Sequence, residues 1–283
     1  HLMSTRKGNL IDKLIYALNS ISGAYSLLLL TENSLIAVRD PFGIRPLILG
    51  KLGDSYILSS ESCGLDIIGA EIVRDIEPGE ILMIKNNKIE SIKPFKNNTL
   101  RPCLFEYIYF SRPDSILEGR NVYDVRKQIG NQLAIENNLD KRIIDVVIPI
   151  PDSGNASALG YAEKLRKPFE FGIIRNHYTG RTFIQSSSQI RNLAVKLKHN
   201  PNLSSLKNKN VALIDDSIVR GTTSIKIVEM LRNAGVKKIH MRIASPPVKF
   251  PCFYGIDTPT REELLASRFS LKEIEKMVGV DSL

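Results

Sequence analysis

The chain has 283 residues, 43% of them hydrophobic, enough for the cores of two ordinary domains or one large one. A formal charge of +9 suits nucleic acid or a small phosphorylated substrate; no Lys/Arg block with interleaved aromatics favours the former, so nucleic acid is not expected as a partner. Three dispersed cysteines form no disulfide framework, and no apolar run approaches the roughly 18 residues of a membrane span. A cytoplasmic protein with neither signal peptide nor membrane partner is therefore expected.

His1 cannot be an initiator, so the chain is taken to be tagged or to begin inside a longer protein. "LIDKLIYALNSIS" (10–22) sets Leu10, Leu14, Ile15 and Leu18 at helical spacing, with Gly23 as a stop. Six strand-like runs follow: "AYSLLLLT", "SLIAVRD", "PLILGKL", "SYILSSES", "EILMIKN" and "KIESIKP". Turn signals such as Asp40-Pro41, Gly53-Asp54, Pro78-Gly79 and Asn86-Asn87 separate them, which predicts an antiparallel sheet. Cys63 falls in a strand-like run and is read as structural. The polar stretch "KPFKNNTLRP" (93–102) reads as a linker, dividing residues 1–95 from 96–283.

Beyond the linker, strands alternate with helices. "IIDVVIPIP" leads to the helix "NASALGYAEKLRK", and "FEFGII" follows. "NVALIDD" leads to the helix "TTSIKIVEMLRNAG" and then the strand "KKIHMRIAS". That alternation predicts a parallel sheet with crossover helices, whose ligands sit at the carboxyl ends of the strands. The overall class is thus α/β preceded by a mostly antiparallel α+β segment.

Three loops at those strand ends carry chemistry. In "VALIDDSIVRGTTS" (211–224), Asp215 and Asp216 emerge from a buried strand. Two carboxylates there can accept from a pair of vicinal hydroxyls and sit close to a divalent metal. Gly221 allows close backbone approach, and the amides and hydroxyls of Thr222, Thr223 and Ser224 open a helix as an anion cradle. Ser217 and Arg220 complete the substrate-binding set of this run. It is not a Walker-type phosphate loop. It resembles instead the phosphoribosyl pyrophosphate motif of type I phosphoribosyltransferases. "IPIPDSG" (148–154) is a second loop, whose Asp152, Ser153 and Gly154 are candidates for a pyrophosphate and its metal. "IIRNHYTGRTFIQ" (173–185) offers Arg175, Tyr178 and Arg181 as a lid's cations and hydroxyl, with His177 as a phosphate contact.

These loops occur in one order with "RDPFGIRPL" (39–47), "SSESCGLD" (59–66), "CLFEYIYFSRPDS" (103–115) and "SPPVKFPCFYGIDTPTREEL" (245–264). From about Leu10 to Leu283 the chain resembles the glutamine phosphoribosylpyrophosphate amidotransferase family. The resemblance implies an enzyme of purine synthesis, a glycosyltransferase with two domains. An amino-terminal-nucleophile (Ntn-hydrolase) glutaminase domain would release ammonia. A type I phosphoribosyltransferase domain would use it to displace pyrophosphate, giving 5-phosphoribosylamine. It implies magnesium at Ser153, Asp215 and Asp216, with Asp215, Asp216, Arg175, Tyr178 and Arg181 as the catalytic set. The lid would also help wall the ammonia path. Purine nucleotides would be inhibitors, and the protein a homo-oligomer, dimer or tetramer.

The family's catalytic cysteine and glutamine-binding motifs find no match here, so residues 1–95 are expected to be the latter half of the glutaminase domain, without glutaminase activity of their own. The chain is accordingly expected to be an internal fragment. Cluster-bearing members place [4Fe–4S] ligands at positions matching Cys103 and Cys252, with a C-x-x-C pair further on. A cluster is therefore expected in the full-length protein and incomplete here. Two rival readings remain: a salvage-type phosphoribosyltransferase, and a non-catalytic sensor of phosphoribosyl pyrophosphate that binds DNA. The first leaves the strand-rich segment unexplained, and the second calls for a helix-turn-helix module that the sequence does not display.

Overall fold

The computed structural model describes residues 1–96, 99–136, 139–176, 199–256, 258 and 260–283. One compact unit comprises His1–Val122 with Phe253–Ile256, and the other Tyr123–Cys252 with Asp257–Leu283.

In the first unit, α1 (Leu2–Thr5) and α2 (Leu10–Asn19) precede β1 (Ser26–Leu30), β2 (Leu35–Arg39), β3 (Ile48–Leu52) and β4 (Ser55–Ser59). Then come α3 (Ser62–Ile67), β5 (Glu71–Asp75), β6 (Ile81–Lys85) and β7 (Lys88–Ile92), followed by the short hairpin β8 (Ile116–Leu117) and β9 (Arg120–Asn121). Two antiparallel sheets result, ordered β1-β2-β6-β7 and β4-β3-β5. Strand β2 is buried on both faces. Ile36 and Val38 meet Leu14 and Leu18 of α2, while Ala37 packs with Leu47, Leu49 and Leu82. Asn86 and Asn87 both adopt positive φ, the conformation that lets a two-residue turn join β6 to β7. Two features depart from the sequence expectation. Strand β5 was not among the expected runs. Cys63 lies buried on helix α3 rather than on a strand, where it packs as a core residue.

Buried charges tie this unit together. Arg39, only 1% exposed, donates from Nε to the carbonyl of Arg45 (2.9 Å), from Nη1 to that of Ile76 (2.6 Å), and from Nη2 to Gly43 (2.9 Å) and to Glu118 (2.6 Å). Asp40 accepts from the amides of Phe42 (2.9 Å) and Ile44 (3.0 Å). The "RDPFGIRPL" run is thereby spent on satisfying its own turn. Glu80, also 1% exposed, accepts two hydrogen bonds from Arg74, one from Ser91 and one from the Glu77 amide. Burial alone would raise its pKa, but these donors outweigh it and hold the carboxyl below its ordinary value.

In the second unit, α4 (Val122–Glu136) leads to β10 (Val146–Pro149) and α5 (Asn155–Leu165). β11 (Ile173–Arg175) pairs antiparallel with β12 (His199–Pro201), apart from the main sheet. After α6 (Leu203–Leu206) come β13 (Asn210–Asp215), α7 (Thr222–Asn233), β14 (Lys238–Ile243), α8 (Leu265–Arg268) and α9 (Leu271–Val278). The parallel sheet has the order β10-β13-β14, with β13 central and apolar through Val211–Ile214. Helices α7 and α9 cover one face through Ile227, Val228, Leu231, Ile274 and Val278. Helices α4 and α5 cover the other through Ala134, Ala158, Tyr161 and Ala162. α4 and α5 touch backbone to backbone. A Cβ on Gly130 would lie 1.9 Å from the carbonyl oxygen of Ser157, and one on Gly160 2.0 Å from that of Lys127. The sequence expectation omitted α4 and α9; α9 is closed by a capping box between Ser270 and Glu273 and by Gly279 in left-handed conformation.

Because the Glu80 carboxyl is depressed on folding, its contribution is fully present above its unfolded value near 4.5 and is lost as pH falls through the folded value. Glu80→Gln is expected to cost about 2 kcal/mol at pH 7. Chemical denaturation at pH 7 and below pH 4 should show the wild-type advantage shrink with acid; an advantage constant with pH would refute the assignment.

Candidate functional site

The carboxyl end of β13 carries two acids in a place where water cannot solvate them: Asp215 and Asp216 are each 6% exposed. The ladder to β14 continues past the strand's end. Ala244 N–H donates to the Asp215 carbonyl (2.9 Å), and Ser245 N–H to that of Asp216 (2.8 Å). Both acids are therefore held on rigid backbone. The Asp215 carboxylate accepts from the Asp216 amide (2.9 Å), and that of Asp216 from the Ser217 hydroxyl (2.5 Å). Burial, and secondarily the neighbouring Asp216 charge, pushes Asp215 well above the ordinary carboxylate range, while a hydrogen bond from Ser153 pulls the other way. Among the described residues neither acid has an ion-pair partner. Two carboxylates and a hydroxyl without a neutralising cation form a hard-oxygen donor set. That chemistry fits a divalent metal that fills its remaining positions with substrate oxygens and water.

Beyond the acids the chain turns through residues 217–221 into α7. Gly221 has φ +73°, a conformation that favours glycine, and the space a Cβ would take is occupied by the Leu265 side chain, whose Cδ1 would lie 2.3 Å away. The N-cap position is Gly221 itself, which has no side chain to cap the helix, so among the described residues its first-turn amides remain open. Thr222 and Thr223 are exposed beside them and Ser224 is buried. An open helix start with hydroxyls around it attracts an anion.

The second loop meets the first from β10. Ile150 N–H donates to the Ile214 carbonyl (2.8 Å), and Gly154 N–H to that of Ile150 (2.9 Å). A Cβ on Gly154 would stand 2.4 Å from the Ile214 carbonyl oxygen. Glycine here lets the loop close against the end of β13, which brings Ser153 to Asp215. Asp152 is half-exposed and ion-paired with Arg175. Arg220 is likewise engaged, its Nε 2.8 Å from Glu263 Oε2.

The structure thus gathers Ser153, Asp215, Asp216 and Ser217 into one cluster, next to Gly221, Thr222, Thr223 and Ser224, and it pairs Asp152 with Arg175. Tyr178 and Arg181, with His177, lie outside the described residues. Cys103 belongs to the first compact unit and donates its amide to the Ile44 carbonyl (3.1 Å); Cys252 belongs to the second and donates its amide to Thr258 Oγ1 (2.5 Å). Among the described residues no three His, Cys, Asp or Glu side chains form a metal-holding group. With three cysteines in the chain, one of them buried in α3, the residues present do not fit a cluster ligated by four thiolates. Sequence reasoning missed the residues that support the site from a distance: Ala244, Ser245, Glu263 and Leu265. No local spacing announces them.

A family model described as the phosphoribosyl transferase domain matches residues 118–244, a span that includes β10, α5, β13, α7 and β14. Along its whole length the chain is 50% identical to the amidophosphoribosyltransferase of Rhizobium etli, of which it covers 58%. It is 47% identical, again along its whole length, to the chloroplastic amidophosphoribosyltransferase of Glycine max, of which it covers 50%. The solved structure of glutamine phosphoribosylpyrophosphate amidotransferase from Bacillus subtilis, complexed with ADP and GMP, superposes with a TM-score of 0.93 at 45% identity. That match covers 100% of this chain and 62% of the other. The chain therefore spans between half and two thirds of the length of these relatives.

Gly154→Ala is expected to force the loop away from β13 at a cost of about 2 kcal/mol. Chemical denaturation checks it; an unchanged midpoint would mean that the loop does not need its close approach.

Proposed function

Because this chain belongs to the amidophosphoribosyltransferase family along its whole length, we propose that the protein forms 5-phosphoribosylamine from phosphoribosyl pyrophosphate and glutamine-derived ammonia, the first committed step of purine synthesis. The observation that carries the proposal is the buried pair Asp215–Asp216 followed at once by the open start of α7, at the carboxyl end of the central parallel strand. A diol acceptor and an anion cradle so placed suit a sugar phosphate.

In this reading Asp215 and Asp216 accept hydrogen bonds from the ribose hydroxyls and fix the ring. The amides and hydroxyls of Thr222–Ser224, with Ser217, Arg220 and Gly221, hold the 5′-phosphate. Asp152, Ser153 and Gly154 face the pyrophosphate. Ser153, Asp215 and Asp216 would hold magnesium, which when bound neutralises charge on the leaving group. Ammonia attacks the anomeric carbon, the bond from that carbon to the pyrophosphate oxygen breaks, and a proton is released. The acids stabilise the positive charge that develops on the ring. Arg175, with Tyr178 and Arg181 from outside the described residues, is proposed to balance the departing charge.

Residues 1–95 are proposed as part of a glutaminase domain and 96–283 as the phosphoribosyltransferase domain. The antiparallel sheets β1-β2-β6-β7 and β4-β3-β5 and the parallel sheet β10-β13-β14 support two domains of these kinds, while the compact units divide later, between Val122 and Tyr123. Cys103 and Cys252 are proposed as two thiolates of a [4Fe–4S] cluster whose remaining ligands this chain does not hold; no step runs through it. Inhibition by purine nucleotides is proposed on the strength of the Bacillus subtilis relative's complex with ADP and GMP. A homo-oligomeric state and a cytoplasmic location belong to the same proposal. Among the described residues no helix is long and apolar enough to cross a membrane. The relatives compared above speak for neither a salvage transferase nor a DNA-binding regulator.

Replacing both acids, Asp215→Asn with Asp216→Asn, is expected to lower ammonia-dependent phosphoribosylamine formation by the full protein at least about a hundredfold, with the fold retained. Activity within twofold of wild type would remove the acids from this role.

A further inference from the structure

The loop between the acids and the helix start is held from a segment far along the chain. Residues Arg261–Glu263 form a single 3-10 turn that runs into α8. From the start of α8, Leu265 N–H donates to the Val219 carbonyl (3.0 Å). The Leu265 side chain fills the space over Gly221 where a Cβ would stand, and it packs with Ile218 against the core under the sheet. Glu263 Oε2 takes the Nε–H of Arg220 at 2.8 Å. The segment is itself firmly seated: Leu264 is fully buried, and Ser267 Oγ donates to the Leu264 carbonyl (2.8 Å).

We propose that Glu263 and Leu265 are positioning residues for the phosphate end of the site, Leu265 fixing the backbone of residues 219–221 and Glu263 aiming the Arg220 guanidinium at the substrate's phosphate. This rests on the proposed function for its ligand. Arg220 is 48% exposed and Glu263 52%, so the ion pair contributes little to stability and its effect must be sought elsewhere. Glu263 engages only Nε. Among the described residues the two terminal nitrogens of Arg220 stay available as a fork, and a guanidinium fork matches a phosphate. Ordering one long side chain before the ligand arrives is worth about two- to tenfold in affinity. The opposite role, Glu263 competing with phosphate for Arg220, predicts the opposite sign, since removing a competitor would tighten binding.

The test uses the full protein and three variants, Glu263→Ala, Glu263→Gln and Leu265→Ala. The measurements are the KM for phosphoribosyl pyrophosphate and kcat in the ammonia-dependent reaction, the melting temperature, and hydrogen exchange at the amides of residues 219–224 without ligand. Glu263→Ala should raise KM by about two- to tenfold while kcat and melting temperature hold, and Glu263→Gln, which keeps an acceptor for Nε–H, should recover most of the loss. Leu265→Ala should speed exchange at Gly221–Thr223. A KM that is unchanged or lower in Glu263→Ala overturns the role of Glu263. Exchange in Leu265→Ala equal to wild type overturns that of Leu265. A wild-type protein that does not consume phosphoribosyl pyrophosphate would instead count against the proposed function, and the exchange measurement would still decide the brace.

Discussion

Two carboxylates kept from water at the end of one strand set the terms for the second unit. Each acid costs free energy to bury, and the cost is met only by a rigid frame of donors and by whatever cation or hydroxyl pair arrives with a ligand. The frame is visible in the bonds around it: the amides of Ala244 and Ser245, just beyond β14, behind the acids, and Ser153 and Ser217 beside them. Gly154 then allows its loop to approach β13 more closely than any side chain would permit, and Gly221 leaves the space that the Leu265 side chain takes. The parallel sheet, its covering helices and the loop closures all serve to present those carboxylates in one orientation. A preorganised pair of acids of this kind matters most where charge develops during reaction.

Polar residues of the first unit are used differently. Arg39, Asp40, Glu80 and Glu106 are buried, and each is bound to partners inside the unit: carbonyls, amides, Arg74, Arg45 and hydroxyls. Such satisfied networks specify how turns and sheets pack, and removing one member leaves the rest unpaired. Motifs rich in charged residues are therefore not automatically sites. "RDPFGIRPL" and "SSESCGLD" build the unit, whereas among the described residues the acids of "LIDDSIVRGTTS" have no ion pair and the helix that follows starts at a glycine without a capping side chain.

The central site was legible because its signals are local. A continuous apolar run, two acids, a glycine and three hydroxyl residues follow one another along β13, the loop and α7, and the structure keeps them in that order. Most of the strands of the first unit were legible from alternation and turn residues. Strand β5 was not: it pairs with β3 across a register shift at Leu49/Gly50, and its Glu71, Ile72 and Val73 are exposed, so the strand depends on a partner rather than on its own pattern. The six-residue helix around Cys63 is too short for periodicity to show. The pairings of Arg175 with Asp152 and of Arg220 with Glu263 link residues 23 and 43 positions apart, a distance over which spacing carries no information.

In the proposed function the Asp215–Asp216 pair and the start of α7 hold opposite ends of one phosphoribosyl ligand. A crystal structure of the full protein with phosphoribosyl pyrophosphate and magnesium tests it most directly. The ribose hydroxyls are expected on the two carboxylates and the 5′-phosphate on the amides of residues 221–224. Ligand density elsewhere on the molecule, with the acids left to one another, would contradict it.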